Sequence, residues 1–114
     1  MEIDFDNPKH ERLINDYEAL RKRYNKTKGV DSASDILATM DILRAANTLA
    51  DIPQSYHPHP LKGEYKGTFA VDVDKKHRII FKPNHNADSD FRIDNPKTIR
   101  KITIKEIYKD YHKP

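Results

Sequence analysis

The run Phe69-Ala70-Val71-Asp72-Val73-Asp74-Lys75-Lys76-His77-Arg78-Ile79-Ile80-Phe81 marks the change of period on which the architecture of this chain turns. Between residues 8 and 53 the apolar residues recur at helical spacing; here the period becomes two. Phe69, Val71 and Val73 alternate with Thr68, Ala70 and Asp72, as in a half-buried strand. Asp74-Lys75-Lys76 can turn the chain, and His77–Lys82 reads as the returning strand of a hairpin. Arg78 is the odd residue in that strand. A guanidinium flanked by Ile79 and Ile80 must leave by the opposite face, find a partner or bind an anion.

Working outward, Ile3 and Phe5 alternate with acids and predict a short first strand. Asn7-Pro8 supplies an N-cap followed by a proline at the first helical position. Leu13, Tyr17, Leu20 and Tyr24 then form one apolar stripe, which predicts a single helix ending near Lys26, before Gly29. A second helix is expected to open at Ser32, where Ser32-Ala33-Ser34-Asp35 resembles a capping box, and to end at Pro53. Ile36, Met40 and Leu43 lie along its buried row. The short turn between the helices implies an antiparallel hairpin. Gln54–Lys66, broken by Pro58, Pro60 and Gly63, reads as irregular, and the polar stretch Pro83–Pro96 as a mobile loop. Ile99–Tyr108 is the last strand. The expected order is β-α-α-β-β-β over residues 1–114, a single α+β domain with helices on one face of a largely antiparallel sheet.

Composition narrows the function. With 114 residues, 36% hydrophobic, the core must be small and the surface charged. The absence of cysteine excludes a disulfide framework and any thiolate metal site. No stretch approaches the roughly 18–20 apolar residues of a membrane span, and the N-terminus has neither a basic nor an apolar leader, so the cytoplasm is the expected location. Net charge is +3, but residues 1–56 hold eight Lys/Arg against ten Asp/Glu, whereas residues 57–114 hold thirteen against eight. Five of the six histidines also lie in this second, basic half, which suggests a surface that faces a polyanion.

Two clusters there carry possible chemistry: His57-Pro58-His59-Pro60-Leu61-Lys62-Gly63 and Asp110-Tyr111-His112. Taken singly, each has an ordinary structural reading. A histidine in a proline-rich loop is usually a solvated turn residue, an arginine in a strand is as often an ion-pair partner, and a terminal Tyr-His usually frays. His57-x-His59 could begin a metal site, but no cysteine and no helical histidine pair accompanies it. Tyr17 and Tyr24, on the helical stripe, read as packing residues, and Arg21-Lys22-Arg23 as a solvated helix face.

Taken in order, His59-x-Leu61-Lys62-Gly63, Lys66-Gly67, Arg78-Ile79-Ile80-Phe81 and Asp110-Tyr111-His112 resemble the HigB branch of the RelE/ParE toxins across essentially the whole chain. Two features depart from that pattern: His77 stands where relatives often carry an aromatic, and the loop from Pro83 is longer than in compact members. The resemblance implies a RelE-like fold and metal-independent, ribosome-dependent cleavage of messenger RNA. In that reaction the 2′-hydroxyl attacks the adjacent phosphate and the 5′-oxygen leaves, which requires a base, an acid and cations around the phosphorane. By matching position, His59 and His112 are the proton-transfer candidates, with Asp110 as orienter or alternative base. Lys62 and Arg78 would hold the phosphate, and Tyr111 would stack on a base or orient the nucleophile. Lys66, Lys75 and Lys76 are candidate backbone contacts to RNA. His57, by contrast, is expected to be dispensable. No cofactor is expected; the implied partners are a cognate antitoxin, messenger RNA and the ribosome. The rival readings are a ParE-like poison of DNA gyrase and a catalytically inert RNA- or ribosome-binding module on the same fold.

Overall fold

The computed structural model describes residues 1–85 and 90–111. Its elements run β1 (Glu2–Phe5), α1 (Pro8–Ile14), α2 (Tyr17–Tyr24), α3 (Ser32–Ala45), β2 (His59–Pro60), β3 (Phe69–Asp72), β4 (His77–Pro83) and β5 (Lys101–Asp110). All five strands form one sheet in the order β1-β5-β4-β3-β2. β2 to β5 pair as an antiparallel meander, while β1 joins β5 in parallel, Ile3 beside Ile102 and Phe5 beside Ile104. The sheet is therefore mixed, and the α+β class expected from the sequence holds. Among the described residues no helix is long and apolar enough to cross a membrane.

The alternation in the hairpin does what its period requires. Phe69 and Val71 of β3 and Ile79 and Phe81 of β4 bury one face of the sheet together with Ile102, Ile104 and Ile107 of β5. Against them pack Ile14 of α1, Leu20 of α2 and Ala33, Ile36, Met40 and Leu43 of α3. Burial of each such side chain contributes about 1.5–3 kcal/mol, so this one interface dominates the stability. Ala70 and Ile80, fully buried as well, lie outside this cluster and belong to the other face.

The first helix departs from expectation. Its stripe is real, but the chain breaks at Asn15-Asp16. Asp16 takes an extended conformation and its carboxylate accepts from the Ala19 N–H, so it caps a new helix instead of continuing the old one. α3 opens at Ser32 as expected, but its cap is Asp31 and it stops at Ala45, short of Pro53. A separate 3-10 turn, Leu49–Asp51, capped by Thr48, carries the chain on toward Pro53. Tyr17, partly exposed, is not a core residue; its hydroxyl donates to Asp31.

Asp31 gathers four donors: Asn25 Nδ2 at 3.0 Å, Tyr17 Oη at 2.7 Å, Ser34 Oγ at 2.7 Å and the Ser34 N–H at 3.1 Å. These hydrogen bonds, led by Asn25, hold its carboxyl well below the usual carboxylate range. A depressed folded-state pKa stabilises the fold above the unfolded value, about 4, and that contribution is lost as pH falls toward the folded value. Thermal melts at stepped pH should therefore show wild type more stable than Asp31→Asn above about pH 4, with the gap closing under more acidic conditions. Parallel curves would mean that the four contacts add nothing.

The stretch read as irregular contains β2, two residues long, with His59 opposite Ala70 and Pro60 opposite Phe69. Beyond β4, residues 86–89 of the connection read as a mobile loop lie outside the described residues. At the start of that connection the buried His85 accepts, through Nε2, the N–H groups of Arg100 at 2.9 Å and Lys101 at 3.0 Å. Its ring stacks on Phe91. This pins the end of β4 beside the start of β5, which runs slightly later than predicted and ends at Asp110.

Candidate active site

Because strand residues alternate, the face turned away from the helices receives Ala70 and Asp72 from β3 and Arg78 and Ile80 from β4. Cross-strand register adds the rest: His59 is opposite Ala70, Asp72 opposite Arg78, and Arg78 opposite Lys109. Two residues beyond Lys109, Tyr111 falls on the same side, and its N–H donates to the Lys76 carbonyl at 2.8 Å. Residues distant in sequence are thereby collected at one end of the sheet.

The contacts among them are specific. The Arg78 guanidinium carbon lies 4.6 Å from the centroid of the Tyr111 ring, a cation–π contact. Its Nε is buried and has no hydrogen-bond partner among the described residues. The Tyr111 hydroxyl donates a hydrogen bond to Asp72 Oδ1. On the other side of that carboxylate, Oδ2 is 3.9 Å from His57 Nδ1. His57 stacks on His59 with centroids 4.4 Å apart and planes at 25°. His59 Nδ1 is 2.7 Å from the His57 carbonyl oxygen. A carbonyl only accepts, so the proton belongs on Nδ1, and in the neutral ring Nε2 carries the lone pair. The cluster therefore holds a candidate proton acceptor, His59 Nε2, and a guanidinium whose buried Nε has no partner among the described residues.

Asp72 is the residue that sequence reasoning missed. Burial pushes its carboxyl up, and the electrostatic influence of the neighbouring His57, His59 and Arg78 side chains works against that shift. An unshielded carboxylate about 5 Å from an anion would oppose it by roughly 3 kcal/mol at an effective dielectric constant of about 20. The Tyr111 hydroxyl and the His57 ring lie where they screen that charge.

The remaining sequence candidates are placed as follows. Lys62 and Lys66 are exposed on the loop after β2. Lys75 and Lys76 are exposed at the tip of the β3–β4 turn. Asp110 is the register partner of His77, on the face of β5 opposite Tyr111. His112 lies outside the described residues.

That turn is braced from the helix side. Asp74 Oδ1 accepts the N–H groups of Lys76 and His77, both at 2.8 Å, and Oδ2 accepts the Tyr108 hydroxyl at 2.9 Å. Burial pushes the Asp74 carboxyl up, but these hydrogen bonds outweigh it and leave it lowered. His77 lies flat on Tyr108, with centroids 3.7 Å apart and planes at 10°. The imidazole thus supplies the planar packing surface that an aromatic would provide beside Arg78. Among the described residues, no three His, Asp or Glu side chains converge as a metal site would require.

No protein-family model matches the chain, and no curated protein matches it in sequence. Among solved structures it is similar to a chain of the YoeB-YefM complex from Staphylococcus aureus. There the identity is 17% and the TM-score 0.51, with 97% of this chain and 98% of that chain covered. The YoeB/ParE toxin from Agrobacterium tumefaciens matches at 14% identity and a TM-score of 0.44, covering 98% and 100% of the two chains. The fold is accordingly that of the YoeB type, an N-terminal strand and helices followed by the remaining strands of a mixed sheet.

Proposed function

We propose that this chain is the toxin of a type II toxin–antitoxin pair and that it cleaves messenger RNA by activating the 2′-hydroxyl beside the scissile phosphate. The observation that carries this reading is the placement, on one sheet face, of the His59 imidazole, whose Nδ1 meets the His57 carbonyl, and of the Arg78 guanidinium, whose buried Nε has no partner among the described residues. In the proposed reaction His59 Nε2 takes the 2′-hydroxyl proton, the 2′-oxygen bonds to phosphorus, and the bond to the 5′-oxygen breaks. Arg78 donates to the phosphate oxygens as charge accumulates on them. His112, assigned from its motif, returns a proton to the leaving 5′-oxygen, with Asp110 as its orienter. Tyr111 holds the Arg78 guanidinium from below. Lys62, Lys66, Lys75 and Lys76 supply positive charge along the RNA backbone and read no sequence. Only RNA carries the hydroxyl this chemistry uses.

The partners follow from the same reading: messenger RNA on the ribosome as substrate, and an antitoxin that covers the basic face in the resting cell. The similar Staphylococcus aureus chain was solved in complex with YefM. The test is controlled expression in a bacterium with primer-extension mapping of 5′ ends on translated messages, comparing wild type with His112→Ala. New ends within coding regions, seen with wild type alone, are the expected result. Growth arrest without new ends would redirect the reading to DNA gyrase. No effect on growth or message would favour an inert binding module.

A further inference from the structure

His57 is the only non-glycine residue with positive φ among the described residues, at φ 51° and ψ 53°. Left-handed backbone is unfavourable for a side chain with a β-carbon. The next residue is Pro58, which disfavours the helical regions for the residue before it. A glycine would carry the chain around this corner with less strain, yet a histidine stands there.

What the strained residue does is visible on both sides of it. Its carbonyl is turned back onto His59 Nδ1 at 2.7 Å, and its ring lies against the His59 ring. Its own Nδ1 faces Asp72 Oδ2. Asp72 in turn accepts the Tyr111 hydroxyl, and the Tyr111 ring carries Arg78. These neighbours form a chain from the imidazole proposed as base to the cation proposed for the phosphate; its His57–Asp72 step is a 3.9 Å charge-pair separation and not a hydrogen bond, and His57 is the residue that stands between the loop end and the sheet end.

We propose that His57 is a positioning residue of this site: its carbonyl fixes the tautomer of His59, and its ring ties His59 to Asp72 and so to Tyr111 and Arg78. This rests on His59 being the base, and it reverses the expectation from the sequence that His57 is dispensable. It also gives Asp72 a purpose. A carboxylate beside a phosphate site is otherwise a hindrance, but one held between His57 and Tyr111 serves as the joint between the two halves.

The experiment has two parts. Ring-nitrogen NMR of the full chain labelled with 15N-histidine reads the His59 tautomer directly, whether or not the protein cleaves anything. A proton on Nδ1 and a bare Nε2 are expected in wild type; a proton on Nε2 of the neutral ring would overturn the proposal. The second part compares His57→Gly and His57→Asn with wild type for RNA cleavage and thermal stability. Glycine accepts the left-handed backbone without a side chain, so His57→Gly should melt no lower than wild type while cleaving roughly 10- to 100-fold more slowly. Asparagine tolerates the same backbone and offers an N–H donor to Asp72, so His57→Asn should recover part of the rate. Full activity in His57→Gly would mean that the residue only turns the chain, and would overturn the proposal. Should wild type fail to cleave RNA, the function proposed above fails, and the tautomer measurement still decides this inference.

Discussion

Arg78→Ala should lower RNA cleavage about 10²- to 10³-fold, the usual cost of removing one group that stabilises developing oxyanion charge. Stability should change little. The cation–π contact with Tyr111 is lost, at about 0.5–1 kcal/mol, but so is a buried Nε that has no partner among the described residues. Those two effects have opposite signs. Arg78→Lys should fall between, because an ammonium keeps the charge but not the planar fork that matches phosphate oxygens. Rate measurements beside thermal melts check this. A variant that loses its thermal transition together with its activity would instead make Arg78 a structural residue.

His59→Ala should lower cleavage about 10²- to 10⁴-fold, the range of a positioned general base. His59 is only partly buried and contributes nothing to the main core, so the melt should barely move. The edge pairing with Ala70 runs through the backbone and survives the substitution. What disappears is the bare Nε2 and the surface on which His57 stacks. Single-turnover cleavage separates this from weakened binding: the plateau rate should drop while the RNA concentration giving half of it stays close to wild type. A rate within a few-fold of wild type would transfer the role of base elsewhere.

Much of this fold is written in local pattern. The alternation from Phe69 to Phe81 announced the hairpin, and the apolar row of Ile36, Met40 and Leu43 announced the face that α3 buries. What failed were features that local pattern does not encode. The stripe Leu13, Tyr17, Leu20 runs through Asn15-Asp16 as though the helix continued, because periodicity ignores capping preference. β2 is two residues ending in a proline and exists only because β3 is there to pair with it. Ile3 and Phe5 mark β1 as a strand, yet its parallel partner lies nearly a hundred residues away.

The site divides in the same manner. His59, Arg78 and Tyr111 could be read from motif and residue type, and the fold brings them to one end of one sheet face. Asp72 could not, since an aspartate at the alternate position of a half-buried strand looks like any solvent-facing residue. Only the register that sets it opposite Arg78, and the end of β5 that delivers Tyr111, give it meaning. Nor does sequence reveal the left-handed backbone at His57, because a residue before proline is expected to be extended.

The proposed reaction breaks RNA through the RNA's own 2′-hydroxyl. Its most direct test uses a defined message on bacterial ribosomes, the purified chain, and a single 2′-deoxynucleotide at the mapped cleavage position. With the ribonucleotide, cleavage should leave a 5′-hydroxyl on one fragment and a phosphate on the 2′ and 3′ oxygens of the other. With the deoxynucleotide, that cut should vanish. Equal cleavage of both messages, or intact messages in the presence of folded protein, would contradict the account.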